Sequence, residues 1–214
     1  MSRAAIAAII GAALLIGACQ SAKPPPAGLS AAPVAVTLPP GRLPVLESGA
    51  TFVFRKRDGA EVTSRVVAVE GDDVTWQADN GWTWTGKAFF WPVERWQSDG
   101  AGGSQEISGD PAALFPLMVG ERVAYRYQGR SQDEQAGWSG QGRCEVAAAE
   151  QITVPAGTFD TYKVVCEQGE DLSDPYRVRT WWYAPAIGHY VAQLHRTRTG
   201  GIDEFEQLVR YGAG

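Results

Sequence analysis

Residues 143–168 read RCEVAAAEQITVPAGTFDTYKVVCEQ, two runs of strand-forming residues on either side of Pro155-Ala156-Gly157. Proline holds φ at about −65° and glycine tolerates positive φ, so this tripeptide is typical of a tight turn. The β-branched and aromatic residues around it favour extended structure. The stretch therefore predicts an antiparallel hairpin with strands over 143–153 and 158–168.

The same hairpin brings two cysteines together. A turn centred on Pro155 pairs residues at equal distance from it, and Cys144 and Cys166 both lie eleven residues away. Opposed residues in such a pair have Cα atoms ~4.5–5.5 Å apart, within the range that a disulfide accepts. The alternative is a redox-active pair, which normally uses Cys-x-x-Cys or a thiol of lowered pKa. We predict a structural disulfide between Cys144 and Cys166.

Similar signals continue on both sides of the hairpin. Asp58-Gly59 and Asn80-Gly81 are strong hairpin turns, and strands do not alternate with long helices. The pattern predicts a mostly β fold, an antiparallel sheet that forms a sandwich or an open half-barrel. One short helix is expected from Asp110, a capping residue, to Leu117. The β-rich domain spans 46–214, either as one unit or as two, 46–97 and 110–214.

Three turn motifs carry a resemblance to a known group of proteins. They are FPLMVG, VPAGTFDTYK and WYAPAIG, at residues 115–120, 154–163 and 182–188. In this order they resemble a group of uncharacterised β-rich bacterial envelope proteins, many of them lipoproteins. The resemblance covers about 115–197 and implies a β-rich fold. It transfers no site, because the group has no established activity.

The N-terminus has the pattern of an export signal. Arg3 precedes an apolar run over 4–16, and Ile-Gly-Ala-Cys follows at 16–19. This tetrapeptide resembles the lipobox of bacterial lipoproteins, which implies that 1–18 is cleaved and that Cys19 carries fatty acyl chains such as palmitate. Gln20 is not the Asp that retains such proteins at the inner membrane, so the resemblance favours the outer membrane, facing the periplasm. An ordinary soluble secretory signal is the alternative.

A proline-rich segment separates the signal from the domain. Seven of the 13 prolines fall between Gln20 and Val45. Such a composition does not form a packed core. We therefore expect residues 19–45 to be a lipidated cysteine followed by a disordered tether that connects the membrane to the domain.

Composition and motif searches exclude several classes of function. The formal net charge of −5 argues against a nucleic-acid partner, which selects a basic face. The sequence has no His-Glu-x-x-His, no Gly-x-Ser-x-Gly, no zinc-ligand spacing and no phosphate loop. The two histidines, His189 and His195, are expected at the surface. We therefore predict a protein that is not an enzyme and that has no cofactor or metal ion.

Two clusters form a candidate binding patch. Trp82 and Trp84 share one face of a strand, where they would stack on sugar rings or pack in the core. Arg177 and Arg179 also share a face, and a turn over Pro185-Ala186-Ile187-Gly188 would place Arg177 opposite Arg196. Such a basic patch suits an anionic envelope polymer or lipid headgroup, although a charged, solvated strand edge explains it as well.

These observations lead to three functional hypotheses. The first is a non-catalytic envelope lipoprotein with a structural, assembly or scaffolding role, held at the membrane through Cys19. The second is a carrier or sensor of a hydrophobic ligand such as a lipid, and the third is a glycan-binding module. Envelope protein, lipid and glycan are the corresponding partners. A pocket with convergent polar groups would favour a carrier or an enzyme, whereas a filled core would favour the scaffold.

Overall fold

The computed structural model describes residues 28–87, 92–132, 137–197 and 202–212. Cys19 and the export signal lie outside these residues. The described part contains thirteen strands: β1 (Val34–Ala35), β2 (Thr51–Lys56), β3 (Glu61–Glu70), β4 (Asp73–Ala78), β5 (Thr83–Lys87), β6 (Val93–Ser98), β7 (Ala101–Ser108), β8 (Arg122–Ser131), β9 (Trp138–Val154), β10 (Gly157–Gly169), β11 (Arg177–Ala184), β12 (His189–Thr197) and β13 (Ile202–Gly212). Among the described residues, none of the helical segments has the length and hydrophobicity needed to cross a bilayer.

Twelve of these strands form a closed antiparallel barrel. Neighbours pair in the order β9 to β13 and then β2 to β8, and β8 pairs back to β9. This last ladder runs from Arg122↔Glu145 to Gly129↔Trp138 and closes the ring. The prediction of a sandwich or an open half-barrel is therefore wrong. Strands alternate inward and outward in all three architectures, so the periodicity of the sequence does not distinguish them.

The predicted helix is also wrong. Residues Pro111–Leu114 form one 3-10 turn, capped by the Asp110 side chain, which accepts a hydrogen bond from the Ala112 amide at 3.0 Å. Phe115 is extended, as expected for a residue that precedes a proline, because the Pro116 ring disfavours the α region there. The chain therefore leaves the helical conformation after a single turn.

The Cys144–Cys166 disulfide is present, but its register depends on a bulge. Near the turn, Gly157 pairs with Val154, so the hairpin is not centred on Pro155. A shift between Lys163 and Val164 then moves the register by one residue. Only this shift brings Cys144 opposite Cys166, where the two sulfur atoms are bonded.

The buried apolar residues form two clusters. One lies in the barrel interior around the disulfide and includes Leu114, from the 3-10 turn, and Leu117, from the segment that follows it. The other extends to the outer face of β11 to β13, where Trp182 and Phe205 are buried. The far end of the β9–β10 hairpin covers this outer face, and the Trp182 indole donates a hydrogen bond to Glu150 at 2.5 Å.

The described part of the predicted tether lies on the barrel. We call residues 28–45 the strap. Its strand β1 pairs with β9, and Gly41 forms a bridge with Leu117. Tyr162 donates its hydroxyl hydrogen to the Pro39 carbonyl at 2.6 Å. The strap therefore adds backbone pairing and buried hydrogen bonds to the fold, which its proline content did not indicate.

Candidate ligand-binding lumen

The barrel encloses a cavity of about 670 Å³. Each of the twelve barrel strands contributes at least one lining residue, so the cavity is the lumen of the barrel. Ligand-binding cavities commonly measure ~300–1,000 Å³. The lumen is therefore large enough for one small ligand.

Tryptophans form one side of the lumen. Trp84 lies directly opposite Trp76, and their rings stack with centroids 5.9 Å apart and planes 5° from parallel. Trp96 and Trp138 form a second pair, with centroids 5.7 Å apart. Trp181 also lines the cavity, and its indole donates a hydrogen bond to the Gln193 side chain at 2.6 Å.

Glycines keep the lumen open beside these rings. Four aromatic residues of β6, β8 and β9 each lie directly opposite a glycine: Trp96↔Gly103, Tyr125↔Gly142, Tyr127↔Gly140 and Trp138↔Gly129. A Cβ atom on any of the four glycines would come within 2.6 Å of an atom of the facing aromatic side chain. The rings therefore lie flat across the glycine backbone instead of projecting into the cavity.

Charged side chains form another part of the wall. Lys56, Arg177, Arg179, Glu204 and Glu206 all line the cavity. The Lys56 ammonium lies 3.9 Å from Glu204, and Glu206 accepts a hydrogen bond from the Tyr190 hydroxyl at 2.8 Å. The lumen thus combines an apolar aromatic side with convergent polar groups.

Burial shifts the pKa values of these groups. It raises the pKa of Glu206 to about 7, with the negative charge of Glu204 as the second cause. Burial, with the neighbouring charge of Arg177 as the second cause, lowers the pKa of Arg179 to about 10. Glu206 is therefore close to half-protonated at neutral pH, while Arg179 remains charged.

Both histidines are buried rather than exposed. His189 stacks on Phe52 with centroids 4.1 Å apart, and burial lowers its pKa to about 4. His195 lies on the lumen face of β12, opposite Arg179 on one side and Glu204 on the other.

The structure brings four residues of the candidate patch together and separates the fifth. Trp82, Trp84, Arg177 and Arg179 line the same lumen, whereas Arg196 is exposed and does not line it. A bulge between Trp182 and Tyr183 shifts the register, so Arg177 faces Thr197 and not Arg196.

The loop between β4 and β5 determines which residue faces Trp84. Asp79-Asn80-Gly81 is a three-residue loop, closed by the hydrogen bond from the Ala78 amide to the Trp82 carbonyl. Trp84 therefore faces Trp76. Trp76 and both glutamates of the lumen are not among the predicted site residues. The position of Trp76 opposite Trp84 depends on the length of this loop, and Glu204 and Glu206 lie on β13, which meets β2 only when the barrel closes.

Comparisons with known proteins give no family for the chain. No family model matches, and no curated protein matches. Among solved structures, the chain is similar to the hypothetical lipoprotein YmcC from Escherichia coli (K12), with 12% identity, a TM-score of 0.49, and coverage of 75% of this chain and 83% of that one.

Two further solved structures are similar to a lower degree. A presumed exported protein with a YmcC-like fold from Bacteroides fragilis is 15% identical with a TM-score of 0.44, over 80% of this chain and 99% of that one. A presumed lipoprotein from Parabacteroides distasonis is 14% identical with a TM-score of 0.43, over 82% of this chain and 100% of that one.

Proposed function

We propose that this protein is a non-catalytic envelope lipoprotein whose barrel carries or senses a small apolar ligand. The lumen is the observation that supports the proposal. It measures about 670 Å³ and is lined by tryptophans and a small set of polar groups, the combination typical of small-molecule sites. A purely structural role would favour a filled interior, so the carrier function takes precedence over the scaffolding role that the sequence favours.

The proposed site of action is the periplasmic face of the outer membrane. The lipobox and Gln20 support this placement. Only nine peptide units link the lipidated Cys19 to Gly28, where the strap begins, and they span at most ~30 Å when fully extended. The lumen would therefore act close to the membrane surface, where hydrophobic ligands are available.

The test is to fill the lumen with one bulky side chain while the tryptophans and the charged residues stay in place. Ser64 lines the cavity, whereas Arg65 beside it on β3 is exposed. We expect the neutral probe N-phenyl-1-naphthylamine to bind the mature chain with enhanced fluorescence and energy transfer from tryptophan. Ser64→Trp should weaken this binding at least tenfold, whereas Arg65→Trp, the matched control, should leave it unchanged.

Either of two results would contradict the proposed function. A wild-type protein that binds no apolar probe, or a Ser64→Trp variant that binds as well as Arg65→Trp, would reject the lumen as a ligand site. Urea unfolding of both variants verifies that each one is folded before binding is compared.

A further inference from the structure

We infer that the ligand is an amphipathic anion, whose acidic headgroup lies at Arg177 and Arg179 and whose apolar body lies against the lumen tryptophans. The inference rests on the proposed function and specifies the class of ligand. The shared chemistry is a carboxylate or a phosphate on a single apolar chain or ring system.

Strand register places both guanidinium groups on the inside of the barrel. On β11, Trp181 pairs with Gln193 and Arg179 pairs with His195. Trp181, Gln193 and Arg179 line the lumen. Arg177 is two residues before Arg179 and therefore shares this face. The two arginines lie on the same strand as Trp181, so a headgroup at the arginines continues directly into the aromatic part of the cavity.

Arg177 carries an unsatisfied buried donor. Its Nε atom is buried and has no hydrogen-bond partner among the described residues. Its guanidinium carbon lies 5.6 Å from the centre of the Tyr176 ring, which orients the group but does not satisfy this donor. Because most buried polar atoms in folded proteins are paired, such an atom in a cavity wall indicates a position where a ligand oxygen binds.

The balance of charge in the lumen also favours an anion. Three cationic side chains and two carboxylates line the cavity. Lys56 lies near Glu204, and Glu206 accepts a hydrogen bond from Tyr190. Even with both carboxylates ionised, the lumen retains a positive surplus inside a chain whose formal net charge is −5. A guanidinium in a cavity binds a carboxylate or phosphate through two parallel hydrogen bonds.

Two fluorescent probes with the same ring system test the inference. N-phenyl-1-naphthylamine is neutral, and 1-anilinonaphthalene-8-sulfonate adds one sulfonate to it. The protein for this test is the mature chain from Gln20 without its lipid, which contains all the described contacts. We expect the sulfonate to bind at least tenfold more tightly, and Arg177→Gln to remove that advantage without changing the affinity for the neutral probe.

Arg196→Gln is the matched control, because Arg196 lies on the neighbouring strand β12, opposite Val178, and is exposed. It should leave the affinities for both probes unchanged. Equal binding of the two probes by the wild type, or an unchanged sulfonate affinity in Arg177→Gln, would overturn the inference and leave the proposed function intact. Failure of both probes to bind would instead reject the proposed function.

A competition experiment then distinguishes a carboxylate headgroup from a phosphate headgroup. Palmitate and a monoacyl lysophosphatidate should each be tested for displacement of the bound sulfonate, with hexadecanol as the neutral chain of matched length. Displacement by either acid at concentrations at least tenfold below hexadecanol supports an anionic ligand and identifies its headgroup. Equal displacement by hexadecanol contradicts the inference.

Discussion

Glu206 and His189 show how burial makes single residues respond to pH in opposite directions. In the folded chain the Glu206 carboxyl has a pKa of about 7, whereas an ordinary glutamate, with a pKa of 4.5, loses its proton at lower pH. Folding is therefore less favourable as pH rises between these values. His189 stays neutral down to about pH 4, below its ordinary pKa of 6.5, so its burial costs stability as pH falls between 6.5 and 4. Each effect changes the free energy of unfolding by ~1.4 kcal/mol per pH unit.

Between pH 4.5 and 6.5 the two effects oppose each other, and single substitutions should separate them. Glu206→Gln leaves only the histidine effect, so its stability relative to the wild type should fall by about 3 kcal/mol on acidification across this window. His189→Phe leaves only the carboxyl effect, so its relative stability should rise by a similar amount. Urea unfolding at a series of pH values measures both differences, and pH profiles parallel to the wild type would contradict the assignment.

At the scale of the strand pair, the glycine–aromatic contacts determine how much of the lumen is empty. A Cβ atom on Gly142 would lie 2.2 Å from Cζ of Tyr125, which is itself buried. We expect Gly142→Ala to lower the free energy of unfolding by about 1–3 kcal/mol, because the tyrosine ring must leave its position over the strand. Gly212→Ala is the control, since its Cβ atom would meet only Oγ1 of Thr51, at 3.4 Å.

A double variant tests whether the loss of stability comes from the contact between residue 142 and the Tyr125 ring. Truncation of the ring in Tyr125→Ala removes the obstacle, so adding Gly142→Ala to it should cost much less than Gly142→Ala costs in the wild type. Additive losses in urea unfolding would show that the glycine is needed for another reason.

Also at the scale of the element, two bulges decided which residues face each other. The hairpins β9–β10 and β11–β12 each have a turn that is recognisable in the sequence, and each turn predicts which residues of the two strands pair. In β9–β10 a shift corrects the register and allows Cys144 to meet Cys166. In β11–β12 a shift separates Arg177 from Arg196. A bulge forms where packing on both faces requires it, and that packing depends on distant strands that a local pattern does not contain.

At the scale of the whole molecule, the strap makes the folded unit longer than the β-rich region of the sequence. It pairs with β9 through Val34 and Ala35, and it accepts the hydrogen bond of Tyr162 at Pro39. A chain that begins at residue 46 would lose the pairing with β9 and the Pro39 acceptor of the Tyr162 hydroxyl. We expect that chain to unfold at a lower urea concentration than one beginning at residue 28, with a loss of several kcal/mol.

The matched comparison for the strap is Tyr162→Phe in both chains. It should destabilise the longer chain by about 1 kcal/mol and the shorter chain by much less, because only the longer one has the Pro39 acceptor. If the chains that begin at residues 28 and 46 have equal free energies of unfolding, the strap adds no net stability to the barrel.

The sequence by itself determined the local features of this protein. Turn dipeptides and strand-forming residues located the hairpins, and the spacing of Cys144 and Cys166 around Pro155 predicted the disulfide. Those signals are local, because a turn depends on the φ preferences of a few consecutive residues. Only the tertiary structure decided that β8 pairs with β9, that the lumen remains open, and that Trp84 and Arg177 line one cavity. Closure of the ring depends on the twist accumulated over all the strands, so no single segment of the sequence contains it.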